Sequence, residues 1–220
     1  MEPILYLQVQ KRNFVEYVRV VFSYYQKFSF AKVDFSLLLL YLFQNPFRIA
    51  KKFLLQRGEQ DVYLYGETPL TTMEQIATDC AIKKQDTVFE LGCGRGRCCF
   101  WLNAFVGCDV VGIEYVPLFI ERAKKIKNLF NVQGLEFRDA DMLETSFEGA
   151  TFFYLYGTCY DTEFIEKLIE KFQKCPAGTK IVTVSYTLSE YCDDTIFTLV
   201  KQFPAGFTWG QADIYLQILN

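Results

Sequence analysis

The chain has 220 residues, of which 51% are hydrophobic, and a formal net charge of −3. This length suits a single domain, with an appendage as the alternative, and the composition allows a sizeable core. The slight negative charge argues against a general polyanion binder, and the absence of histidine excludes zinc sites of mixed Cys/His type.

The charge is distributed unevenly along the chain. Residues 1–60 hold 9 Lys and Arg against 4 Asp and Glu, whereas residues 61–220 hold 14 against 22. A basic, aromatic-rich N-terminal segment, residues 1–60, therefore precedes an acidic main domain, residues 61–220. We expect the basic segment to be a helical cap or arm that packs on the main domain. The alternatives are a lid, a weak contact with a membrane surface, or contact with an acidic partner.

The cysteine pattern bears on the compartment. Eight cysteines are present, and none forms a C-x-x-C pair. Met1–Gln10 lacks the basic and apolar regions of a signal peptide. The longest apolar run, Leu37–Phe43, is far shorter than the roughly 18 residues that span a bilayer. We therefore expect reduced, mostly buried thiols in a cytoplasmic protein.

Three helices are predicted in the N-terminal segment. Asn13 is expected to cap the first helix and Asp34 the second. Asn45-Pro46 is expected to begin a third helix, which ends at Gly58. These side chains or backbone conformations are typical of helix ends, so they set the predicted boundaries.

A polar turn, Tyr65-Gly66-Glu67-Thr68-Pro69, precedes the next predicted helix and offers several groups to a ligand. The helix is expected to begin at Thr71. Glu74 follows three residues later, which is the spacing of a capping box.

From Asp86 onward, predicted strands and helices alternate, which indicates a parallel sheet with helices on both faces. The predicted strands are Thr87–Leu91, Asp109–Glu114, Leu135–Arg138, Ala150–Tyr156 and Lys180–Tyr186. The predicted helices are Arg97–Phe105, Pro117–Phe130 and Asp161–Lys174. An antiparallel hairpin is predicted from Ile196–Phe203 and Asp213–Leu219. The predicted fold class is α/β: a Rossmann-like, seven-stranded sheet of five parallel strands plus a C-terminal antiparallel hairpin, with a helical N-terminal extension.

The first strand runs into a glycine loop, Gly92-Cys93-Gly94-Arg95-Gly96. Glycines there let the backbone approach a ligand at the carboxyl edge of the sheet. The G-x-G-x-G spacing differs from the G-x-G-x-x-G of nicotinamide-binding loops. Cys93 is expected to fill space in the loop, and Arg95 and Arg97 are expected to lie in solvent.

Two acids follow the next strands. Glu114 ends the second strand, 22 positions past the first loop glycine. A carboxylate there can accept hydrogen bonds from both ribose hydroxyls of a nucleoside. Asp141 follows the third strand and can accept from an adenine amino group, with Met142 and either Ile113 or Tyr115 flanking the base.

With these motifs, residues 61–220 resemble a class I S-adenosylmethionine-dependent methyltransferase. "VFELGCGRGRCCFWLNAF" resembles the first motif of that family, "VVGIEYVPLFIERAKK" the second, and "EFRDADML" the adenine-side motif. The resemblance implies S-adenosyl-L-methionine as cofactor and no metal. It places Glu90 and the glycine loop near the methionine part, Glu114 on the ribose and Asp141 by the adenine.

A second stretch, "VYLYGETPLTTMEQIA", resembles the "YGET" cofactor loop of the non-SET histone-lysine methyltransferases, which closes over the methionine end of the cofactor. Tyr65, Gly66, Glu67 and Thr68 match this loop, but Leu155-Tyr156-Gly157 stands where that family has Asn-Asn-Phe. The "TPL" and "WG" segments are similar to those of small membrane-associated lysine methyltransferases. These likenesses imply a protein lysine as the methyl acceptor.

Transfer to nitrogen requires an amine that has lost its proton. An apolar channel lowers the pKa of lysine from its reference value of about 10.4 by desolvation. Side chains that can accept or orient the proton are Tyr65, Glu67, Tyr154, Tyr156, Tyr160 and Asp161. From this set, the residues predicted to be catalytic are Tyr65, Tyr156 and Asp161.

Nucleic-acid substrates are disfavoured. "FFYLYGTCYD" replaces the Asn/Asp-Pro-Pro-aromatic motif of amino-methylating enzymes, and "KCPAG" reverses the Pro-Cys order of cytosine-carbon methylases. The predicted function is methyl transfer from S-adenosylmethionine to a nitrogen nucleophile, with protein lysine ahead of small molecules. The alternatives are a small-molecule N- or O-methyltransferase and a catalytically inactive S-adenosylmethionine-binding protein. The sequence does not indicate an oligomeric state.

Overall fold

The computed structural model describes residues 3–59 and 65–220, and only the backbone of residues 3–7. The predicted domain boundary between residues 60 and 61 lies outside the described residues. The helices are α1 Pro3–Tyr24, α2 Phe28–Leu39, α3 Pro46–Arg57, α4 Leu70–Asp79, α5 Arg97–Trp101, α6 Pro117–Leu129 and α7 Thr162–Phe172. The strands are β1 Thr87–Leu91, β2 Asp109–Glu114, β3 Leu135–Asp139, β4 Phe152–Leu155, β5 Lys180–Val184, β6 Phe197–Gly206 and β7 Gln211–Leu219.

The seven strands form one sheet in the order β3-β2-β1-β4-β5-β7-β6. Strands β1 to β5 are parallel, and β7 runs antiparallel to both β5 and β6. This architecture confirms the predicted Rossmann-like sheet with a C-terminal hairpin. The strand order reverses direction between β1 and β4, and open α/β sheets bind ligands at the carboxyl edge at such a point.

All seven predicted strands are present, and their bounds differ from the prediction by at most three residues. Two of these differences are informative. Strands β1 and β2 have the predicted bounds. Strand β4 ends before Tyr156, where the chain leaves the sheet to enter the carboxyl-edge loop. Strand β5 ends before Ser185, whose left-handed backbone (φ 74°) interrupts the ladder before Tyr186.

The predicted beginnings of the first two helices are wrong. Asn13 lies in the interior of α1, which begins ten residues earlier at Pro3, and proline is tolerated in a first turn. Asp34 lies in the interior of α2, where it is buried and pairs with Arg97. The third helix does begin at Asn45-Pro46: the Asn45 side chain accepts from the backbone N–H of Phe47 at 2.9 Å.

The predicted capping box at Thr71 is also wrong, because α1 supplies the partners instead. Glu16 of α1 accepts hydrogen bonds from the backbone N–H and the hydroxyl of Thr71, at 3.1 and 2.6 Å. Glu74 accepts from the Tyr24 hydroxyl at 2.8 Å. Tertiary contacts therefore satisfy the first turn of α4 and tie the N-terminal segment to the main domain.

Apolar side chains pack on both faces of the sheet. On one face, α4, α5 and α6 share a core with the inner sides of α1, α2 and α3. On the other, α7 packs through a cluster of aromatic rings, with Phe153 4.8 Å from both Phe147 and Phe172. The N-terminal helices are thus part of the core that supports the carboxyl edge.

Gly96 illustrates how the glycine loop is fixed against this core. Its backbone is left-handed (φ 76°), and a Cβ atom would lie 2.5 Å from Cε1 of Phe137. Gly149 has a similar φ of 83°, but its Cβ would meet nothing within 4 Å. We therefore expect Gly96→Ala to lower the free energy of unfolding by about 1–3 kcal/mol more than Gly149→Ala, measured by urea denaturation. Equal losses in the two variants would contradict close packing of the loop on β3.

Candidate active site

The glycine loop lies at the carboxyl end of β1 and is held against β2. The backbone N–H groups of Gly92 and Cys93 both donate to the carbonyl of Ile113 at 2.9 Å. Gly92 and Gly94 have positive φ values of 77° and 52°. The loop therefore turns sharply at the point where the sheet opens between β1 and β4, and its backbone faces the cavity there.

Glu114, at the end of β2, is fixed by three backbone donors. It accepts from the N–H groups of Gly94 at 2.8 Å and of Tyr115 and Val116 at 2.9 Å each. Its side chain is 9% exposed and lines the cavity. Burial raises the pKa of this carboxyl, and the three N–H donors oppose that rise. Backbone N–H groups, rather than a cationic side chain, therefore fix the orientation of the Glu114 carboxylate.

Glu90 is a second buried acid, located in β1 beneath the loop. It is 6% exposed and accepts from the Cys99 thiol at 2.9 Å. Burial raises the pKa of Glu90 from 4.5 to about 8, although the Cys99 hydrogen bond lowers it. Among the described residues Glu90 has no cationic partner, so its proton is retained near neutral pH in the folded protein.

The raised pKa of Glu90 predicts how stability depends on pH. The folded state binds this proton more tightly than the unfolded state, so its contribution is complete below pH 4.5 and is lost as pH rises towards 8. As pH rises from 4.5 towards 8, we expect the free energy of unfolding of Glu90→Gln to increase, relative to that of the unchanged protein, by roughly 1 kcal/mol per pH unit.

Urea denaturation at pH 5 and pH 8 measures the effect of Glu90→Gln. Glu136→Gln is the control, because a hydrogen bond from Arg138 lowers the pKa of Glu136 and gives no gain at pH 8. A difference that stays constant between the two pH values would show that Glu90 is ionised throughout.

The residues that match the YGET loop lie directly over the glycine loop. Glu67 accepts a hydrogen bond from Nε of Arg95 at 2.6 Å and forms an ion pair with the same guanidinium. Tyr65 donates its hydroxyl to Glu67, and Thr68 and Tyr154 share a hydrogen bond of 2.5 Å. Arg95 holds the pKa of Glu67 below its usual value against the effect of burial. The structure thus brings Tyr65, Glu67 and Thr68 together over the glycine loop, at the end of the site that the sequence predicts to bind the methionine part of the cofactor (the methionine end below).

The expectation that Arg95 and Arg97 lie in solvent is wrong. Their side chains are only 6% and 12% exposed. Arg95 pairs with Glu67, and Arg97 forms two hydrogen bonds with Asp34, at 2.7 and 2.8 Å. Both partners come from elements that precede the sheet, so the glycine loop is tied to the N-terminal part of the chain by two buried ion pairs.

An aromatic wall, formed by Tyr156, Phe207 and Trp209, lies beside the YGET-like loop, Tyr65–Thr68. Tyr156 stacks on Phe207, with ring centroids 5.2 Å apart, and Phe207 stacks on Trp209 at 5.5 Å. Nε1 of Trp209 donates to the Tyr156 hydroxyl at 2.6 Å. The Tyr156 ring lies so close to Gly66 that a side chain at that position would collide with it. The hairpin tip and the loop after β4 therefore form one continuous aromatic surface.

The end of the site that the sequence predicts to bind adenine, called the adenine end below, is formed by different elements. Asp141 accepts from the backbone N–H of Leu143 at 2.8 Å, and buried Met142 lines the cavity beside it. Helix α3 covers this end. The ring centroids of Phe53 and Tyr115 are 5.5 Å apart, and the Arg57 guanidinium carbon lies 4.5 Å from the centroid of the Tyr115 ring.

Asp161 lies apart from Tyr65 and Tyr156. It is exposed, caps α7 by accepting from the backbone N–H of Phe164 at 2.8 Å, and lines the adenine-end cavity. Tyr160 next to it stacks on Phe164 at 4.2 Å. The three residues predicted to be catalytic are therefore divided between the two ends of the site.

Three adjoining cavities follow the carboxyl edge. One of about 20 Å³ lies among the glycine loop, Glu90 and Glu67, and shares Gly92 and Tyr156 with a second of about 140 Å³. The second shares Glu114 with a third, of about 790 Å³, at the adenine end. Together they form one elongated path from the YGET loop to Asp141.

Residues 82–196 match the family model described as "Methyltransferase domain". The chain belongs to this family. Among curated relatives, the histone-lysine N-methyltransferase of Dictyostelium discoideum that is specific for H3 lysine-79 is 27% identical over 156 residues, covering 64% of this chain and 8% of that protein. Sterol 24-C-methyltransferase ERG6 of Saccharomyces cerevisiae is 24% identical over 123 residues, covering 54% and 32%. The chain thus spans a third or less of these relatives' length.

Solved structures share the fold of this methyltransferase domain. An RNA methyltransferase from Salinibacter ruber in complex with S-adenosyl-L-homocysteine has a TM-score of 0.54 and 23% identity, covering 70% of this chain and 94% of that one. TrmN from Thermus thermophilus has a TM-score of 0.59 and 11% identity, covering 71% and 51%. These likenesses confirm the Rossmann-like methyltransferase fold.

The carboxyl edge of the sheet fits S-adenosylmethionine, the cofactor predicted from the sequence. Each of the three cavities is lined by an acidic side chain that can accept hydrogen bonds, Glu90 in the smallest, Glu114 in the second and Asp141 in the third. Met142 and Leu54 offer apolar surface to a flat base. Among the described residues, no group of three or more His, Cys, Asp or Glu side chains is arranged to hold a metal ion.

Sequence reasoning missed several residues that line this site. Ala50 and Leu54 of α3 contact the cavity, and their spacing of four residues marks one buried helix face. Phe207 and Trp209 complete the aromatic wall, and the sequence pointed to Trp209 only through the resemblance of its "WG" segment. Nothing in the local sequence indicated that Arg95 would pair with Glu67, 28 residues away.

Proposed function

We propose that this S-adenosylmethionine-dependent methyltransferase transfers a methyl group to a nitrogen nucleophile, and that its acceptor is a lysine side chain of a protein. The aromatic wall at the methionine end carries this proposal. Support comes from the histone-lysine N-methyltransferase of Dictyostelium discoideum, which matches this chain over 156 residues. The YGET-like loop, Tyr65–Thr68, adds to it.

The acceptor must reach the cavity beside Tyr156. Tyr156, Gly66 and Tyr160 line the 140 Å³ cavity, and Phe207 and Trp209 extend the aromatic surface towards the hairpin tip. Aromatic faces attract an ammonium group as it approaches. Removal of that group from water then favours its neutral form, which is the nucleophile.

The bound cofactor supplies a methyl carbon on a sulfonium, so the protein chiefly positions the acceptor and excludes water. We assign this positioning to the hydroxyls of Tyr65 and Tyr156. The Tyr156 oxygen accepts from Trp209, which fixes its orientation towards the acceptor path. Asp161 is not part of the proposal, because its carboxylate caps α7 at the adenine end.

The proposal is tested by incubating the protein with methyl-labelled S-adenosylmethionine and fractionated cell extract. We expect the label to appear in protein, to be released by protease treatment, and to be recovered as methyl-lysine after hydrolysis. Label in protease-resistant, solvent-extractable molecules would favour a small-molecule acceptor. Cofactor binding without turnover in any fraction would favour an inactive binding protein.

Tyr156→Phe tests the role of the hydroxyl without removing the aromatic stack. We expect kcat to fall by about 10- to 100-fold with little change in cofactor affinity. Tyr186→Phe is the matched control, because the buried Tyr186 hydroxyl has no hydrogen-bond partner among the described residues. Equal activity of the two variants would remove Tyr156 from the proposal.

A further inference from the structure

Exposed apolar side chains are concentrated in the N-terminal helices. Of the 17 large apolar side chains that are exposed in the described part of the chain, 13 lie between Phe14 and Leu55. They are Phe14, Val15, Tyr17, Val18, Val21, Phe22, Phe28, Phe35, Leu39, Leu42, Phe43, Phe47 and Leu55. Exposed apolar side chains concentrated in one part of a protein surface mark a site of interaction.

Helix α1 shows the pattern most clearly, because its apolar stripe points away from the core. Only Val20 and Tyr24 of its described side chains are buried. Phe14, Val18 and Phe22, four residues apart, lie on one outer face, with exposed fractions of 69%, 38% and 74%. An amphipathic helix that packs on its own domain normally does the reverse.

The charges of the same segment are sorted by sign. Two of its three described acids, Asp34 and Glu16, point inward, where Asp34 pairs with Arg97 and Glu16 binds Thr71, and the third, Glu59, is exposed after the end of α3. Its bases remain on the surface: the exposed Lys and Arg residues are Lys11, Arg12, Arg19, Lys27, Lys32, Arg48, Lys52 and Arg57. On the outside, the segment therefore presents aromatic and aliphatic side chains surrounded by cations.

We propose that the outer face of α1, α2 and α3 binds the surface of an anionic lipid bilayer. Its phenylalanines enter the boundary between headgroups and acyl chains, and its lysines and arginines contact lipid phosphates. A second copy of this chain is a poor occupant, because it would bring an equally cationic face. No helix in the described residues is both long and apolar enough to cross a membrane, and the proposed contact needs none.

This contact would bring the active site to the membrane surface. Helix α3 lines the cofactor cavity with Ala50 and Leu54, whereas the next side chain, Leu55, is exposed. Phe47 is also exposed, and its ring contacts that of Tyr65, which lines the same cavity, with centroids 5.0 Å apart. Helix α3 therefore connects the proposed bilayer face to the cofactor cavity. The proposal does not depend on which acceptor is methylated.

Flotation of the full chain with vesicles tests the proposal. The vesicles contain phosphatidylcholine alone or an equal mixture with phosphatidylserine. We expect binding to the anionic vesicles, at least about tenfold weaker binding to neutral ones, and loss of binding as salt is raised. The double variant Phe14→Ser/Phe22→Ser is expected to weaken binding to anionic vesicles by about tenfold or more.

Two further variants separate the contributions. Arg12→Gln/Arg19→Gln should weaken binding to anionic vesicles only. Leu199→Ser/Val200→Ser is the matched control, because these exposed side chains lie on β6 outside the segment and should leave binding unchanged. Unchanged thermal unfolding and cofactor binding confirm that each variant is folded.

Three results would overturn the proposal. They are no vesicle binding by the unchanged protein, equal binding to both vesicle types, or a concentration-dependent dimer that Phe14→Ser/Phe22→Ser abolishes. The last would show that a second copy covers the stripe. Because all the readouts are binding or mass, failure here is distinguishable from failure to methylate lysine.

Discussion

Asp34→Ala is expected to lower the free energy of unfolding by about 3–5 kcal/mol. Asp34 is 1% exposed and accepts two hydrogen bonds from Arg97, at 2.7 and 2.8 Å, and a third from the Tyr25 hydroxyl at 3.0 Å. Its removal leaves the Arg97 guanidinium buried without a counter-charge. The expected loss is the free-energy cost of leaving one charge buried without a partner. This cost exceeds the net contribution of the intact ion pair to stability.

The double variant Asp34→Leu/Arg97→Met tests this explanation, because it removes both charges. We expect it to recover most of the stability lost in Asp34→Ala. Asp79→Ala is the control: Asp79 pairs with Lys201 at 2.6 Å, but both side chains are partly exposed, so the loss should stay within about 1 kcal/mol. Urea denaturation measures all three, and similar losses for Asp34→Ala and Asp79→Ala would contradict the buried-charge argument.

The position of this ion pair has a functional consequence. Arg97 follows Gly96 directly and begins α5, so Asp34 connects α2 to the end of the glycine loop. Arg95 connects the same loop to Glu67. The cofactor loop is thus held from two directions by residues that lie before the first strand, which explains why the N-terminal helices belong to the core.

The order and type of the sheet elements could be predicted because their signals are local. Strands β1 and β2 are short apolar runs that end at a glycine loop or an acid, and the structure keeps their predicted bounds. The predicted helix beginnings at Asn13 and Asp34, and the predicted capping box at Thr71, failed for the opposite reason. Each of these side chains resembles a cap, but distant partners or a longer helix decide its environment.

The same distinction between local signals and distant contacts applies to the candidate site. The acids at the strand ends could be identified because topology brings parallel strand ends to one edge. The pairing of Arg95 with Glu67 and the contact of Trp209 with Tyr156 join residues 28 and 53 positions apart, and neither leaves a pattern in one sequence. Sequence spacing therefore predicted the acids at the strand ends better than it predicted the aromatic wall.

Glu114→Ala is expected to weaken binding of S-adenosylhomocysteine by roughly 1–3 kcal/mol, or about 5- to 150-fold, in calorimetry. The carboxylate is predicted to accept from both ribose hydroxyls, and an alanine offers no acceptor. The change also leaves the N–H groups of Gly94, Tyr115 and Val116 without their acceptor, at about 1–3 kcal/mol for each that stays buried. Loss of binding and loss of stability must therefore be measured together.

Glu114→Gln separates the two effects, because it keeps one acceptor oxygen but removes the charge. We expect its stability to lie nearer the unchanged protein and its affinity to lie between that protein and Glu114→Ala. Asp139→Ala is the matched control, since Asp139 pairs in register with Glu114 at the end of β3 but is exposed and should leave affinity unchanged. If folded Glu114→Ala binds as tightly as Asp139→Ala, the ribose is held elsewhere, and the three N–H bonds make Glu114 a structural brace of the glycine loop.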